Sequence, residues 1–224
     1  MSDIVCHCGN YGALLAQPDH KLIRYGLCKK HLDESKINEL GLKYPILPPS
    51  MPEIFRDTDI SRLHPKVQNI LNWKPEGDIS GLLLHGTTGL GKTRGIWEIT
   101  RKMWCDEVKL NNKQIEYKFL TMRKLEGMIE VSFEERNHNK LINDLINIKL
   151  LVLDDLGKEK LTTRMAIDLF CIIDERSSNR RTTIISTNFN SNALLERFDK
   201  KDIELGVALI RRLKDYYHCV GIGA

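Results

Sequence analysis

A chain of 224 residues has room for one domain of ordinary size and a small appendage, which leaves little space for two enzymes. Its residues are 29% charged and 42% hydrophobic, the balance of a folded soluble protein, which excludes a disordered or membrane-embedded one. A net charge of +4 permits nucleic-acid binding without demanding it. No apolar run approaches the roughly 20 residues that span a bilayer. The opening MSDIVCHCGN also lacks the basic-then-apolar order of a signal peptide, so the expected location is the cytoplasm.

Six cysteines in such a chain are expected to be core residues or metal ligands rather than a disulfide framework. Cys105, Cys171 and Cys219 are scattered, whereas Cys6, Cys8 and Cys28 share the N-terminus. Cys6-x-Cys8, then nineteen residues, then Cys28-x-x-His31 offers four ligands in two close pairs, the usual enclosure of a tetrahedral Zn2+. His7 and His20 are the substitutes should His31 not be the fourth ligand. A head this short buries too little apolar area to fold unaided, so a metal would supply the missing stability. The stretch YPILPPSMP, Tyr44 to Pro52, then holds four prolines and reads as a linker. The expected organisation is a zinc-binding head over residues 1–43, a proline-rich linker over 44–53 and a body over 54–224.

In the body, apolar runs alternate with amphipathic stretches, which predicts an α/β fold with a parallel sheet covered by helices. The first predicted strand, Gly81 to His85, leads into GTTGLGKT: Gly86, Thr87, Thr88, Gly89, Leu90, Gly91, Lys92 and Thr93. This is a phosphate-binding loop in its required setting of strand, loop and helix. Its glycines let backbone N–H groups turn toward phosphate oxygens, and the helix starting near Lys92 adds its positive end. Lys92 is expected on the β- and γ-phosphates of ATP and the Thr93 hydroxyl on Mg2+. The helix over Thr93 to Trp104 places Ile96, Ile99, Thr100 and Met103 on one face.

A strand over Tyr117 to Thr121 follows, then one over Leu150 to Leu153 that ends in two acids. An α/β sheet presents ligands at that edge, so Asp154 is the candidate magnesium partner and Asp155 the group that orients or deprotonates the attacking water. The helix over Thr163 to Arg176 buries Ala166, Leu169, Phe170 and Ile173. The next strand, Thr182 to Ser186, delivers Thr187 and Asn188 to the same edge, where an amide can hold the lytic water. Near the end, ALIRRLKD sets Arg211 and Arg212 beside an apolar stripe, placed to reach ATP in a neighbouring subunit or to form surface salt bridges.

With these pieces in order, the body resembles the DnaC/IstB-like branch of AAA+ ATPases, which includes bacterial and phage replicative helicase loaders and transposition helpers. The resemblance runs from about Ile54 to Leu213 and rests on GTTGLGKT, NDLINIKLLVLDDLG, FCIIDERSSNRRTTIISTNF and the late RRL. It implies an AAA+ core, a sensor role for Asn188 and an arginine finger at Arg212, with ATP at a subunit boundary formed by self-association. Arg176 matches an arginine usual at its place, without a role assigned. The family's extra helix, which grips single-stranded DNA, matches Thr121 to Lys140, with Lys118, Arg123, Lys124, Arg136 and Lys140 as the bases. Loaders resembling DnaI carry a zinc-binding head that contacts a replicative hexameric helicase, which the Cys6 to His31 head matches in concept. Only twelve residues follow Arg212, too few for the helical lid of fuller relatives, so ATPase activity is expected to be weak alone and stimulated by assembly or a partner.

The reading is therefore a helicase loader that binds ATP, Mg2+ and single-stranded DNA. The alternative is a transposition helper of the IstB type acting on duplex DNA with a transposase. A small-molecule kinase would need an arginine-rich lid, and the basic residues are dispersed instead.

Overall fold

The computed structural model describes residues 48, 50–56, 58–111 and 115–223, together with the backbone of two short strands near the N-terminus. The chain divides into two compact units, Met1–Ile60 and Ser61–Ala224. In the first, β1 (Leu14–Ala16) pairs antiparallel with β2 (Leu22–Arg24), Leu15 opposite Ile23.

The second unit is built on five strands: β3 (Gly81–Gly86), β4 (Tyr117–Thr121), β5 (Leu150–Leu156), β6 (Thr182–Thr187) and β7 (Tyr217–Ile222). They lie in the order β4-β5-β6-β3-β7, and every neighbouring pair is parallel. Parallel neighbours need crossovers, and helices provide them: α1 (Pro65–Asn69) precedes the sheet, and α2 (Lys92–Asn111) joins β3 to β4. Two helices, α3 (Met122–Glu134) and α4 (His138–Asn147), lead to β5, and α5 (Thr163–Ser178) leads to β6. The short α6 (Ser191–Leu195) and the longer α7 (Ile203–Tyr216) lead to β7.

A sheet covered on both faces needs apolar residues at consecutive strand positions, which is why β3 and β5 carry the unbroken runs Leu82 to Leu84 and Leu150 to Leu153 and β6 the pair Ile184 and Ile185. Leu82, Leu84, Leu150, Val152 and Ile184 pack with Ile96, Ile99 and Trp104 of α2 and with Val67 of α1. Their neighbours Leu83, Leu151, Leu153 and Ile185 face the opposite layer, formed by Leu125, Leu145, Leu169 and Leu209 of α3, α4, α5 and α7. The four predicted strands and both predicted crossover helices are present; of the predicted faces Ile96, Ile99, Thr100, Ala166, Leu169 and Ile173 are buried, while Met103 and Phe170 are only half-buried at the margins of the same layers.

Two features depart from the sequence reading. The stretch expected as one helix over Thr121 to Lys140 is two, broken where Arg136 adopts a left-handed φ of 57°. There the Asn137 N–H donates to Ser132 O at 2.9 Å and the Arg136 N–H to Phe133 O at 3.1 Å. That is the paired helix stop usually signalled by glycine, which an arginine hides from a sequence reader. The residues after Arg212 are also more than a remainder, for they complete α7 and then form β7, whose Tyr217 to Ile222 pair with Gly81 to Gly86.

Candidate functional site

The loop between β3 and α2 takes its shape from glycines at left-handed angles: Gly86 at φ 147°, Gly89 at 88° and Gly91 at 81°. A side chain at Gly86 would also stand 1.9 Å from Ile222 O, so β7 closes off one side of the loop. Thr87, Thr88 and Gly89 lie exposed at the tip, while Leu90 packs on the apolar layer of α1 and α2. Lys92 opens α2 and turns back into the loop, where its Nζ donates to Gly86 O at 2.7 Å, Thr87 O at 2.9 Å and Asn188 Oδ1 at 2.7 Å. Burial lowers its pKa against the opposing pull of Asp155 and Asp154. The ammonium thus sits in a cage of oxygens that phosphate oxygens can replace one for one.

Strand β5 runs three residues further than expected, with an irregular register between Leu153 and Leu156 opposite β6. Asp154 and Asp155 occupy that irregularity, Asp155 with a left-handed φ of 64°. Bulges re-aim side chains at the ends of strands, and here one serves both acids. Ser186 fixes the arrangement: its hydroxyl donates to Asp154 Oδ1 and accepts from the Asp155 N–H at 2.9 Å. Thr93 Oγ1 lies 3.1 and 3.2 Å from the two Asp154 carboxylate oxygens. Burial pushes the Asp154 pKa up and Asp155 adds to the rise, which the Ser186 and Thr93 hydroxyls and the Lys92 charge offset only in part. A hydroxyl and a desolvated carboxylate converging this closely are the oxygen donors a magnesium ion takes, and a cation beside them removes the penalty.

On β6, Thr187 is structural: its hydroxyl donates to Leu156 O at 2.7 Å and accepts from the Phe189 N–H. Asn188 joins the site through Lys92. Arg212 on α7 is ion-paired with Asp174 of α5 and stacks near Tyr216, its side chain 34% exposed. Arg211 is more open, at 79%, with Asp215 at 3.6 Å. Arg176 is fully buried and donates to the carbonyls of Leu145, Ile146, Ile148 and Thr182 and to the Thr183 hydroxyl, so it ties the end of α4 to the start of β6.

Lys118 is half-buried on β4, while Arg123 and Lys124 lie on the first turn of α3. Arg136 and Lys140 stand at the far end of α3 and on α4, so the five bases do not form one cluster: α3 separates Arg123 from Arg136 by roughly 20 Å. Cys6, Cys8, Cys28, His31, His7 and His20 lie outside the described residues; among those described, no three or more His, Cys, Asp and Glu side chains gather as a metal site built from those residues alone. No described helix is long and apolar enough to cross a membrane. The sequence reading missed Ser186, which organises both acids, and Lys158, whose Nζ lies 3.0 Å from Asp155 Oδ2. The i, i+3 spacing in DDLGK was the available signal for the lysine, whereas the serine needed the β5–β6 register.

A parallel five-stranded sheet that brings a glycine-rich loop, its lysine and threonine, a strand-end acid pair and an asparagine to one edge defines a nucleotide-binding protein of the AAA+ P-loop class. The family described as IstB-like ATP binding protein matches residues 70–224, and the chain belongs to it. Over 117 residues the chain is 28% identical to the replicative helicase loader DnaC of Escherichia coli strain K12, a match covering 51% of this chain and 45% of that protein. It therefore spans under half the length of that relative. A crystal structure of the DnaC helicase loader superposes with a TM-score of 0.59 at 22% identity, covering 77% of this chain and all of that one. The replication initiator DnaA bound to AMPPCP and single-stranded DNA superposes at 0.54 and 15% identity, over 71% of this chain and 44% of that one. The family is an ATP-binding one, which makes the loop and acids the candidate nucleotide site, with magnesium as the expected ion.

Proposed function

We propose that this protein hydrolyses ATP and uses the ATP state to deliver a replicative hexameric helicase to single-stranded DNA. The observation that carries the reading is the 28% identity to the DnaC loader over 117 residues of a chain that also assembles the loop and acids at one sheet edge. Lys92 exchanges its oxygen cage for the β- and γ-phosphates, and Thr93 with Asp154 holds the magnesium, which supplies charge neutralisation at those phosphates. Asp155 orients or deprotonates the attacking water, and Asn188, hydrogen-bonded to Lys92, senses the γ-phosphate. Arg212 is the arginine offered to a neighbouring subunit's ATP, at the cost of its pair with Asp174; the freer Arg211 is the alternative. Arg123 and Lys124, with Lys118, Arg136 and Lys140, neutralise phosphates of the single strand.

The N-terminal head binds zinc through Cys6, Cys8, Cys28 and His31 and holds the helicase. The antiparallel pairing of Leu14–Ala16 with Leu22–Arg24 supports this, because it folds back the spacer between the two ligand pairs. Light scattering after size-exclusion chromatography tests the reading, with the protein mixed with its host's helicase, with and without ATP, beside Lys92→Ala and a Cys6/Cys28→Ser variant. A complex that requires the cysteines and responds to ATP only with Lys92 intact is expected. No complex under any nucleotide condition, combined with preference for duplex over single-stranded DNA, would move the protein to the transposition-helper role.

A further inference from the structure

Three residues past Asp155, the chain has turned through Gly157 and set Lys158 against the carboxylate it just left, Nζ to Oδ2 at 3.0 Å. The lysine side chain is 65% exposed and the aspartate 30%. So open an ion pair adds little to folding and exchanges readily for another partner. Asp155 acts electrostatically on both Lys92 and Asp154, which places it within range of the phosphate site. Its backbone is fixed by the Ser186 hydroxyl, so the side chain alone is free to choose partners.

The pair opens onto a cleft of about 210 Å3, walled by the start of α3 and by the loop after β5. Arg123, Lys158 and Lys160 line it together with Glu126, Asp155 and Glu159. Of these bases Lys158 is held by a carboxylate, and that carboxylate is the acid assigned to the attacking water.

We propose that Lys158 is a positioning residue that latches Asp155 idle, and that a phosphodiester of single-stranded DNA entering the cleft beside Arg123 and Lys160 takes over the ammonium and frees the carboxylate for hydrolysis. The proposal rests on the reading above and names the means by which DNA and hydrolysis are coupled in it. Coupling of this kind is reciprocal: phosphate on Lys158 frees Asp155, and loss of the Asp155 charge frees Lys158 for phosphate.

The first test needs no nucleotide. Binding of a fluorescein-labelled oligothymidylate to the full chain is followed by anisotropy for wild type, Asp155→Asn, Lys158→Ala and the double variant. Asp155→Asn tightens binding roughly two- to fivefold when Lys158 is present and leaves it unchanged in the Lys158→Ala background. Equal tightening in both backgrounds overturns the latch, since it would reflect general charge removal; so does no tightening in either, and so does an absence of DNA binding in every variant.

Steady-state ATP turnover is the second readout. Lys158→Ala raises kcat roughly two- to fivefold with KM for ATP unchanged and removes further stimulation by the oligonucleotide, while Lys158→Arg brings kcat back toward wild type. An active wild type whose kcat is unmoved by Lys158→Ala overturns the latch and leaves the hydrolysis reading in place. A wild type without turnover under any condition overturns the hydrolysis reading itself, and the anisotropy cycle then still decides the latch.

Discussion

Replacing Arg176 by alanine removes five hydrogen bonds from a site with no exposure to solvent. Four of the acceptors are main-chain carbonyls, three of them at the end of α4 where the helix itself supplies no partner. Each orphaned buried acceptor costs about 1–3 kcal/mol. Water entering the vacated space and relief from holding a desolvated guanidinium, whose pKa burial lowers to about 10, offset part of this. A net loss of about 3–5 kcal/mol results, equivalent to a fall of about 10 °C in Tm for a chain of this size. Urea unfolding followed by tryptophan fluorescence measures it cleanly, because all three tryptophans, Trp73, Trp97 and Trp104, belong to the body. Arg176→Lys recovers less than half, since one ammonium cannot reach carbonyls on two elements together. A loss below about 1 kcal/mol for alanine would refute the reasoning and mean that the end of α4 is held by packing alone.

Other outcomes follow from the same geometry. Burial raises the Asp154 pKa, so in the metal-free protein the penalty for its ionisation is fully present above the raised value, is relieved as pH falls through it, and is gone once pH is below the ordinary carboxylate value. Asp154→Asn therefore raises the metal-free Tm at pH 7, measured by differential scanning fluorimetry, while abolishing magnesium-dependent ATP turnover. Gly86→Ala forces a left-handed residue to accept a Cβ 1.9 Å from Ile222 O and costs about 2–3 kcal/mol in urea unfolding, loosening β7 from β3. Arg212→Ala lowers turnover at assembling concentrations at least tenfold without changing ATP affinity, whereas Arg211→Ala leaves it within about twofold. The reverse result assigns the inter-subunit role to Arg211.

Much of the sheet was legible because its chemistry is local. Consecutive Leu and Val mark β3 and β5, β-branched Thr and Ile mark β6, and GTTGLGKT carries its own geometry in three glycines. What escaped depends on distant partners or on a residue in an unusual conformation. Arg176 looks like a surface charge until the carbonyls of α4 and β6 close around it. The α3 stop hides behind an arginine doing what glycine usually does, and the bulge that aims Asp154 and Asp155 exists only against β6. The segment YYHCVGI had the aromatic and β-branched character of a strand, yet its place beside β3 follows from the crossover through α7 rather than from its own pattern.

Loading onto a closed single-stranded DNA circle tests the central claim most directly, because a ring-shaped helicase cannot thread onto a circle without being opened. The circle, helicase and protein are mixed with ATP, and helicase retained on DNA after gel filtration is counted for wild type and Lys92→Ala. Retention that needs this protein, ATP and Lys92 is the predicted result. Retention equal with and without the protein, or unaffected by Lys92→Ala, would contradict the account.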